Sequence, residues 1–275
     1  MSAIPFYKMS GSGNDFIIID NRRPILPALA APQFVARVCR RGMAVGADGL
    51  ILVESSDAVD FKWRFFNSDG SVAEMCGNGA RCAARFAFLT GIAGEKMAFE
   101  TLAGIIRAEV RGDQVRVQMS DPRDLILDQA LEDEPQWSTC GRVNTGVPHA
   151  VFEVADVNQV DVTTVGRRIR WLPCFAPAGT NVNFIAPLTA GRWAIRTYER
   201  GVEDETLACG TGNVAAALVL AQRYATPSPL TFETRGGSLL TVHFRKTHDR
   251  FDEVYLEGDA RVICTGMLNP EAWQA

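Results

Sequence analysis

The sequence predicts an α+β protein with two similar domains. Short apolar stretches of strand length run through the whole chain, and each half has one longer stretch of small and apolar residues at helical spacing. Each of these two longer stretches follows a Cys-Gly-polar-Gly turn. Many short strands with a single long helix per half are typical of α+β domains, and the 275 residues are enough for two of them.

In the first half, two strands flank the polar turn SGSGND, a short helix follows, and two more strands lead to the first cysteine turn. A long helix then runs to Thr90-Gly91, and short strands with turns at Gly residues close the half. The predicted elements are strands at 6–9 and 16–20, a helix at 33–41, strands at 50–54 and 61–66, a helix after the cysteine turn, and short strands between 97 and 117.

The segment Ser120-Asp121-Pro122-Arg123 is the best domain boundary, because residues 121–138 are rich in Asp, Glu and Pro and have no clear period, which predicts a linker or loop. Beyond it the order of the first half recurs, so we interpret the chain as an internal duplication. The predicted elements are strands at 147–154, a helix or strand-helix segment at 160–171, strands at 180–187 and 192–199, a helix to about Arg223, and strands at 230–234, 238–244, 253–258 and 260–264.

The composition is that of an ordinary globular protein, with 47% apolar and 22% charged residues. The net charge of −4 gives no reason to expect nucleic acid or an anionic membrane as a partner. No apolar run reaches transmembrane length, and the first residues do not form a signal peptide. We therefore expect a cytoplasmic protein.

The seven cysteines are an odd number in a chain without an export signal, which argues against a disulfide framework. No CxxC pair occurs and there are only three histidines, so the spacing supports no metal site. Free cysteine is usually buried and inert. We interpret those outside the two glycine turns as packing residues, namely Cys39, Cys82, Cys140, Cys174 and Cys264.

The two cysteine turns are Cys76-Gly77-Asn78-Gly79 and Cys209-Gly210-Thr211-Gly212, each at the predicted start of a helix. The first N–H groups of a helix have no partner within it and lie at the positive end of its dipole. Glycines let a ligand approach this backbone closely, so each turn is a candidate carboxylate site. The same field favours thiolate over thiol. We expect each half to donate one cysteine to a shared site.

The backbone N–H groups that directly follow each cysteine are the natural donors to a substrate carboxylate. They belong to Gly77, Asn78, Gly210 and Thr211. They also stabilise negative charge that develops on the carboxylate during a reaction. Ordinary helix capping is the competing interpretation, and the two are compatible.

Five motifs follow one another along nearly the whole chain, namely FYKMSGSGNDF, FFNSDGSVAEMCGNGARCAARF, NTGVPHAVF, TNVNF and YERGVEDETLACGTG. In this order they resemble the motifs of the diaminopimelate epimerases. The pair CGNG and CGTG is also similar to that of proline racemase-like enzymes of the wider superfamily. Their first motif is usually CGHG, so Asn78 favours the diaminopimelate branch.

The resemblance implies two pseudo-symmetric domains, each a mixed, mostly antiparallel, barrel-like sheet around a central helix, with the active site in the cleft between them. It implies the domain ranges 1–119 with 264–275, carrying Cys76, and 120–263, carrying Cys209. It also implies conversion of LL-diaminopimelate to the meso isomer without pyridoxal phosphate or another cofactor, in lysine and peptidoglycan precursor synthesis. A homodimer acting on a small amino-acid substrate is expected.

Inversion at an α-carbon needs a base on one face and a proton donor on the other. Two cysteines, one thiolate and one thiol, meet both needs, and we assign these roles to Cys76 and Cys209. The resemblance implies that His149 partners Cys76 and that Glu199 partners Cys209. Without the resemblance, His149 is more often a structural residue and Glu199 a solvated charge.

The resemblance also assigns the substrate-binding side chains. Arg200 matches the residue that binds the distal carboxylate, and its planar guanidinium suits bidentate binding of that group. Three amides match the polar residues that complete the site, and amides supply donors and acceptors without extra charge. They belong to Asn14, Asn67 and Asn181.

The sequence departs from the family pattern at three places. Val147 stands where Asn is frequent, Gly49 stands where many members have Gln, and VEDET is one residue longer than the commoner form. The acidic residues 203–205 lie near the second helix start and oppose a thiolate at Cys209 if their charges come close. These changes bear on substrate detail more than on reaction type.

Two other functions compete with this one. A proline- or hydroxyproline-type racemase has the same two cysteines, but its substrates lack the distal carboxylate that Arg200 would bind. A non-catalytic amino-acid-binding protein or a thiol-redox protein is the third candidate. Retention of both cysteine turns argues against pure binding, and the lack of a CxxC pair argues against thioredoxin-like exchange.

Overall fold

A computed structural model describes residues 3–25, 32–132, 134–189, 191–248 and 250–274, and shows the predicted α+β fold. The chain divides into two units, Met1–Val117 with Gly258–Ala275, and Gln118–Glu257. The predicted domain ranges put residues 258–263 in the second half. They join the first unit because Arg261 and Val262 pair with the N-terminal strand at Ser10 and Met9.

The described residues form eighteen strands, five α-helices and two short 3-10 turns. The strands are β1 (Ile4–Gly11), β2 (Asn14–Asp20), β3 (Gly49–Glu54), β4 (Phe61–Asn67), β5 (Val72–Ala73), β6 (Lys96–Thr101), β7 (Gly104–Arg111), β8 (Gln114–Gln118), β9 (Arg123–Ala130), β10 (Thr139–Asn144), β11 (Pro148–Glu153), β12 (Asn181–Pro187), β13 (Arg192–Glu199), β14 (Asp204–Thr206), β15 (Leu230–Glu233), β16 (Leu239–Thr247), β17 (Arg250–Asp259) and β18 (Arg261–Leu268). The helices are α1 (Pro32–Val38), α2 (Gly77–Leu89), α3 (Val162–Arg170), α4 (Gly210–Tyr224) and α5 (Glu271–Gln274). None of these helices is long and apolar enough to cross a membrane.

The first unit is a mixed, mostly antiparallel sheet with a helix at its centre. Its strands pair in the order β18–β1–β2–β3–β4–β6–β7–β8, and the short β5 also pairs with β4. The β2–β3 and β4–β6 pairs are parallel. Helix α2 contacts β1, β2, β3 and β7. These strands are far apart in the sheet order, so the sheet curves around α2 in the expected barrel-like way.

The second unit repeats this topology. Its order is β9–β10–β11–β12–β13–β15–β16–β17, with the short β14 also on β13, and the β11–β12 and β13–β15 pairs are parallel. Helix α4 contacts β9, β10, β11, β12 and β16. In each unit a helix connects the first parallel pair, and a two- or three-residue strand directly precedes the central helix. The internal duplication is therefore confirmed at the level of topology.

Small residues let the central helices lie close to their sheets. All residues of α4 from Asn213 to Leu220 are fully buried, including three consecutive alanines. Where β10 passes this helix it has Gly141, and a Cβ there would lie 2.7 Å from Cγ1 of Val219. Close packing of this kind holds the start of the helix, and the cysteine before it, in a fixed position.

Two predictions from the sequence are wrong at the level of elements. The stretch predicted as a linker contains β9, which pairs with β10 and is exposed or half-buried along its length. An edge strand of this kind lacks the apolar alternation that predicts a strand. Helix α1 ends at Val38 rather than near Arg41, because the N–H groups of Gly46 and Ala47 bind the carbonyls of Val38 and Cys39.

The cysteines outside the glycine turns are free thiols, and most of them pack as predicted. Burial raises the pKa of Cys39, Cys82 and Cys140 to about 12, which makes these thiols unreactive. Cys174 is half-buried and burial raises its pKa as well. The prediction is wrong for Cys264, which lies exposed on β18 because the strand leaves most of its side chains open to solvent.

Candidate active site

Cys76 is the N-cap residue of α2, in extended conformation with φ −145° and ψ 117°. Its carbonyl accepts the first helical bond from the N–H of Ala80 at 2.8 Å. The thiol does not cap the helix, so the backbone N–H groups of Gly77 and Asn78 occupy the first, unpaired turn. The half-buried thiol therefore lies beside N–H donors at the positive end of the dipole, as the sequence predicts.

A chain of hydrogen bonds orients the amides of Asn78 and Asn14. Arg81 Nη2 donates to Asn78 Oδ1 at 2.9 Å, and Asn78 Nδ2 donates to Asn14 Oδ1 at 2.6 Å. Asn14 Nδ2 in turn donates to Asp48 Oδ2 at 3.1 Å. Because a guanidinium only donates and a carboxylate only accepts, the two ends determine the direction of every bond between them. The side-chain amide of Asn14, which the resemblance predicts to bind substrate, and that of Asn78 are thus each held in one orientation.

Arg81 is the largest fully buried side chain among the described residues. Besides Asn78, its guanidinium binds Ser12 Oγ at 2.7 Å and the carbonyl of Asp259 at 3.2 Å. Its Nη1 atom is buried without a hydrogen-bond partner among the described residues. Burial lowers the pKa of Arg81, and its electrostatic interactions with Cys82, Cys76 and Asp259 oppose this. The side chain thus brings positive charge to the start of α2.

An ionic cluster holds the β2 end of the same network. Lys8 Nζ lies 2.6 Å from Asp15 Oδ2, and Arg41 Nη2 lies 2.5 Å from Asp15 Oδ1 and 2.8 Å from Asp48 Oδ1. Burial acts to raise the pKa of Asp15, but the hydrogen bonds from Arg41 and Lys8 outweigh it and lower the pKa to about 2. The Asp15 carboxylate therefore stays ionised, and Arg41 links it to Asp48, which accepts the bond from the Asn14 amide.

Asn67 is the last residue of β4, where it is exposed and donates from Nδ2 to Ser71 Oγ at 3.0 Å. It pairs with Gly49 across the β3–β4 ladder. A Cβ at Gly49 would lie 2.6 Å from both Phe65 Cε2 and the carbonyl oxygen of Phe66. The first strand residue of β3 therefore leaves no room for a side chain, which accounts for glycine at this departure from the family pattern.

Cys209 is the N-cap residue of α4, with φ −117° and ψ 108°, and 6% of it is exposed. Its Sγ lies 3.5 Å from Thr211 Oγ1. The amide of Asn213 donates to the carbonyl of Cys209 at 2.7 Å. Gly210 and Thr211 occupy the first turn of α4, so this thiol has the same relation to its helix as Cys76 has to α2.

The structure brings Glu199, at the end of β13, beside Cys209. Thr206 Oγ1 donates to Glu199 Oε2 at 2.9 Å. Burial raises the pKa of the Glu199 carboxyl, and hydrogen bonds from Thr206 and from the Cys209 thiol only partly offset this. A carboxylate that accepts a bond from a thiol favours the protonated thiol. Glu199 and Cys209 therefore form a local pair within the second unit.

Each of the three acidic residues of the VEDET segment accepts a hydrogen bond from another side chain. Glu203 Oε1 accepts from Arg170 Nε at 2.8 Å, and Glu205 binds Arg196 through two bonds of 2.6 Å each. Asp204 accepts a bond from a threonine hydroxyl on α3 at 2.8 Å. Two of the three negative charges are neutralised by arginines, so the segment opposes a thiolate at Cys209 less than the sequence alone suggests.

His149 lies on β11 and is fully buried. Asn183 Nδ2 lies 3.1 Å from His149 Nδ1 and also donates to the carbonyl of Ala150 at 2.9 Å, while its Oδ1 accepts from Thr197 Oγ1 at 3.0 Å. These two bonds fix the Asn183 amide with its NH₂ group toward the ring, so His149 Nδ1 accepts and the proton resides on Nε2.

The His149 ring is neutral at physiological pH. Burial lowers the pKa of His149 to about 3; the bond to Asn183 opposes this, and the charge of Arg200 adds to it. Its Nε2 is buried and has no hydrogen-bond partner among the described residues. This atom is free to donate to a group that approaches it. The pairing of His149 with Cys76, which belongs to the other unit, stays a prediction.

Arg200 and Asn181 are held together directly after β13 and at the start of β12. The N–H of Arg200 donates to Asn181 Oδ1 at 2.8 Å, and Asn181 Nδ2 donates to the carbonyl of Pro148 at 3.0 Å. Arg200 Nη1 donates to the carbonyl of Ala178 at 3.3 Å. Val147 lies in the turn before β11, where its carbonyl accepts the N–H of Thr145. The amide of Asn181 thus anchors the backbone of Arg200.

Sequence reasoning missed three residues that shape the two sites, namely Arg81, Asn183 and Thr206. Arg81 lies three positions after Asn78 on the same helix, a spacing that brings side chains together. Asn183 is a second polar residue in the otherwise apolar TNVNF strand. A polar residue at a buried strand position signals an internal partner. Thr206 has no signal of this kind in the sequence.

Comparison with known proteins shows the family of this chain. The diaminopimelate epimerase family model matches residues 6–125 and 141–263. A diaminopimelate epimerase from Aquifex aeolicus is 46% identical, over 97% of this chain and 98% of the relative.

Two crystal structures share the fold at low sequence identity. A phenazine biosynthesis protein of the PhzF family from Bacillus anthracis is 15% identical with a TM-score of 0.77, over 98% of this chain and 100% of that one. A probable proline racemase from Agrobacterium radiobacter, with bound carbonate, is 14% identical with a TM-score of 0.68, over 98% of this chain and 94% of that one. These structures bear on the fold alone. From the family match and the full-length relative, the chain belongs to the diaminopimelate epimerase family and is an isomerase.

Proposed function

We propose that this protein inverts one α-carbon of diaminopimelate and so interconverts the LL and meso isomers without pyridoxal phosphate or metal. The observation that carries the proposal is the matched placement of Cys76 and Cys209, each at the start of the central helix of its unit. The name of the Aquifex aeolicus relative supports the substrate. The reaction moves one proton from the substrate to one sulfur and another proton from the second sulfur to the opposite face of the carbon.

The chemistry makes three demands that these residues can meet. The α-C–H bond is a very weak acid, so inversion needs a base, a proton donor on the other face, and stabilisation of the charge that develops on the carboxylate. A thiolate and a thiol supply the first two and exchange roles in the reverse direction. The N–H groups at the starts of α2 and α4 supply the third.

The charges around the cysteines support Cys76 as the thiolate of the resting enzyme, a choice that the sequence alone leaves open. The Arg81 guanidinium interacts electrostatically with Cys76, whereas the Glu199 carboxylate accepts a hydrogen bond from the Cys209 thiol. A nearby cation lowers the pKa of a thiol, and a nearby carboxylate raises it. Cys209 then starts as the thiol that returns a proton.

The substrate has a second, distal carboxylate, and we assign its binding to Arg200. The half-buried guanidinium has donors beyond the bond to Ala178, and a planar fork suits a carboxylate. The amides of Asn14, Asn67 and Asn181 complete the binding of the zwitterionic groups. His149, with its proton on Nε2, is assigned as the partner of Cys76.

The same proposal includes the setting of the enzyme. The product serves lysine and peptidoglycan precursor synthesis, the protein acts in the cytoplasm, and it forms a homodimer. These statements rest on family resemblance, and sedimentation of the purified protein tests the last of them directly.

The deciding experiment is exchange of the α-proton in deuterated water, with LL-diaminopimelate, reducing agent and no added cofactor. We expect deuterium at the α-carbon together with conversion to the meso isomer. Exchange with proline or hydroxyproline but not with diaminopimelate would keep the two cysteines and assign the protein as a racemase of cyclic amino acids. Binding of an amino acid without any exchange would identify a binding protein instead.

A further inference from the structure

The short loop that carries Arg200 is closed on itself. It consists of residues 199–203 and is called the Arg200 loop below. The N–H of Glu203 donates to the carbonyl of Glu199 at 2.8 Å, which closes a single turn around Arg200, Gly201 and Val202. Glu203 has a left-handed backbone with φ 61°, a conformation that a residue with a side chain adopts only where its surroundings impose it.

The side chain of Glu203 accounts for that conformation. Its Oε1 accepts from the N–H of Gly201 at 2.9 Å and from Arg170 Nε at 2.8 Å, and its Oε2 accepts from the hydroxyl of Tyr198 at 3.2 Å. Bonds from the loop backbone and from Arg170 lower the pKa of Glu203, in keeping with a carboxylate that stays ionised in this place. One carboxylate thus ties the loop both to itself and to helix α3.

Arg170 extends this connection to the other segment that holds Arg200. It is the last residue of α3, its side chain is only 8% exposed, and its guanidinium stacks 3.8 Å from the centre of the Trp171 ring. A Cβ at Gly179 would lie 2.0 Å from Arg170 Nη1, so the guanidinium packs directly on Gly179, the residue after Ala178.

The segment under Arg170 is also the segment that binds Arg200. The carbonyl of Ala178 accepts from the guanidinium of Arg200, and Asn181 Oδ1 accepts from its backbone N–H. The carbonyl of Arg170 accepts the N–H of Thr180 at 3.3 Å. The Arg170–Glu203 pair therefore joins the two segments from which Arg200 takes its position.

We propose that the Arg170–Glu203 ion pair positions Arg200 and thereby sets the affinity for the substrate's distal carboxylate. Glu203 is a positioning residue in this scheme, because it acts through Arg200. An ordinary surface ion pair is a poor alternative explanation, because such pairs link two exposed side chains and contribute little, whereas here the Glu203 side chain is 41% exposed and the Arg170 side chain only 8%. The inference rests on the proposed function, in which Arg200 binds that carboxylate.

The test compares Glu203→Gln with Asp204→Asn, a matched control that neutralises the neighbouring acid, whose carboxylate binds a hydroxyl on α3 and not the Arg200 loop. We expect Glu203→Gln to raise KM for LL-diaminopimelate roughly tenfold with kcat within about twofold, since a loss of binding with unchanged chemistry appears in KM. Asp204→Asn should leave both constants near those of the wild type. Equal effects of the two substitutions would overturn the proposal.

A double-substitution cycle separates this inference from the proposed function. Arg200→Lys is measured alone and together with Glu203→Gln. If Glu203 acts through Arg200, the second substitution adds little to the first, whereas independent, additive effects would overturn the positioning role. If Arg200→Lys itself leaves KM unchanged, the assignment of Arg200 in the proposed function fails.

A second variant covers the case in which Glu203→Gln does not fold. Glu203→Gly removes the carboxylate but suits the left-handed backbone. It should show the same rise in KM. A Glu203→Gly protein with wild-type KM would show that the carboxylate does not position Arg200.

Discussion

The buried imidazole of His149 predicts a stability that falls as the pH is lowered. The pKa of His149 in the folded protein is about 3, whereas a histidine in an unfolded chain titrates near about 6.5. Between these values the unfolded state binds the proton and the folded state does not. Because the buried ring stays neutral, the free energy of unfolding falls progressively as the pH drops below about 6.5. It stops falling only below the pKa of His149 in the folded protein.

The size of the effect follows from the two pKa values. Lowering the pH from 7 to 5 should cost about 2 kcal/mol through His149 alone, since each unit of separation between the pH and the unfolded pKa costs about 1.4 kcal/mol. Glu199 has a raised pKa, so its contribution has the opposite sign and is lost as the pH rises through its folded pKa. A comparison of two proteins that share Glu199 cancels that contribution.

The assay is urea unfolding of the wild type and of His149→Gln at pH 7 and pH 5. Glutamine has no proton to gain in this range, so the variant should lose about 2 kcal/mol less than the wild type between the two values. The substitution also removes packing contacts of the ring and so lowers stability equally at pH 7 and at pH 5. This leaves the change in stability between the two pH values unaffected. Equal losses in the two proteins would show that His149 is not held neutral by burial, and would refute the reasoning.

Three further predictions test the two cysteines, the buried arginine and the closed strand start. Cys76→Ala and Cys209→Ala should each abolish epimerisation and leave the circular dichroism spectrum unchanged. Cys264 is exposed, and the control variant Cys264→Ser should remain active. Full activity in either alanine variant would contradict the two-base mechanism. Arg81→Gln should raise the pKa of the Cys76 thiol by roughly one unit, because a buried cation is lost. The pKa is measured from the pH dependence of alkylation by iodoacetamide, with the Cys76 peptide quantified by mass spectrometry. An unchanged pKa would show that Arg81 does not stabilise the thiolate. Gly49→Ala should lower the free energy of unfolding by about 1–3 kcal/mol through overpacking, because its Cβ would lie 2.6 Å from its neighbours. The control Gly94→Ala, where a Cβ would meet nothing within 4 Å, should change that free energy by less than about 0.5 kcal/mol. Similar changes in both variants would contradict the packing argument.

The starts of the two central helices could be predicted from the sequence because their signal is local. A cysteine followed by two glycines at fixed spacing, and then by small residues at helical spacing, specifies a turn and a helix within about a dozen residues. The same holds for the strands with continuous apolar runs. Edge strand β9 has no such run, and its pairing with β10 depends on a partner that the local pattern does not identify.

The surroundings of the cysteines depend on contacts between distant parts of the chain. Arg81 binds Ser12 and Asp259, which are separated from it by 69 and 178 residues. His149 takes its tautomer from Asn183, 34 residues away. No window of sequence contains both members of these pairs, and a single sequence has no other signal that joins them. Residue types at the site can therefore be proposed from the sequence, whereas their protonation states need the fold.

The duplication explains why the two cysteines have the same backbone setting and different charges. Each is an N-cap in extended conformation before a glycine, so each helix dipole favours a thiolate to a similar degree. Five positions after Cys76 the chain has the buried cation Arg81, whereas five positions after Cys209 it has the apolar Val214, and Glu199 adds a carboxylate.

Two cysteines with identical surroundings would have equal intrinsic pKa values, so neither would be preferred as the thiolate of the resting enzyme. In the proposed mechanism the required difference arises from residues that the second unit does not share with the first. The shared topology provides two equivalent helix starts, and the unshared side chains make one of them basic and the other acidic. An Arg81→Gln, Glu199→Gln double variant should therefore bring the alkylation pKa values of the two thiols closer together than in the wild type, and values that stay as far apart would mean that another group sets the difference.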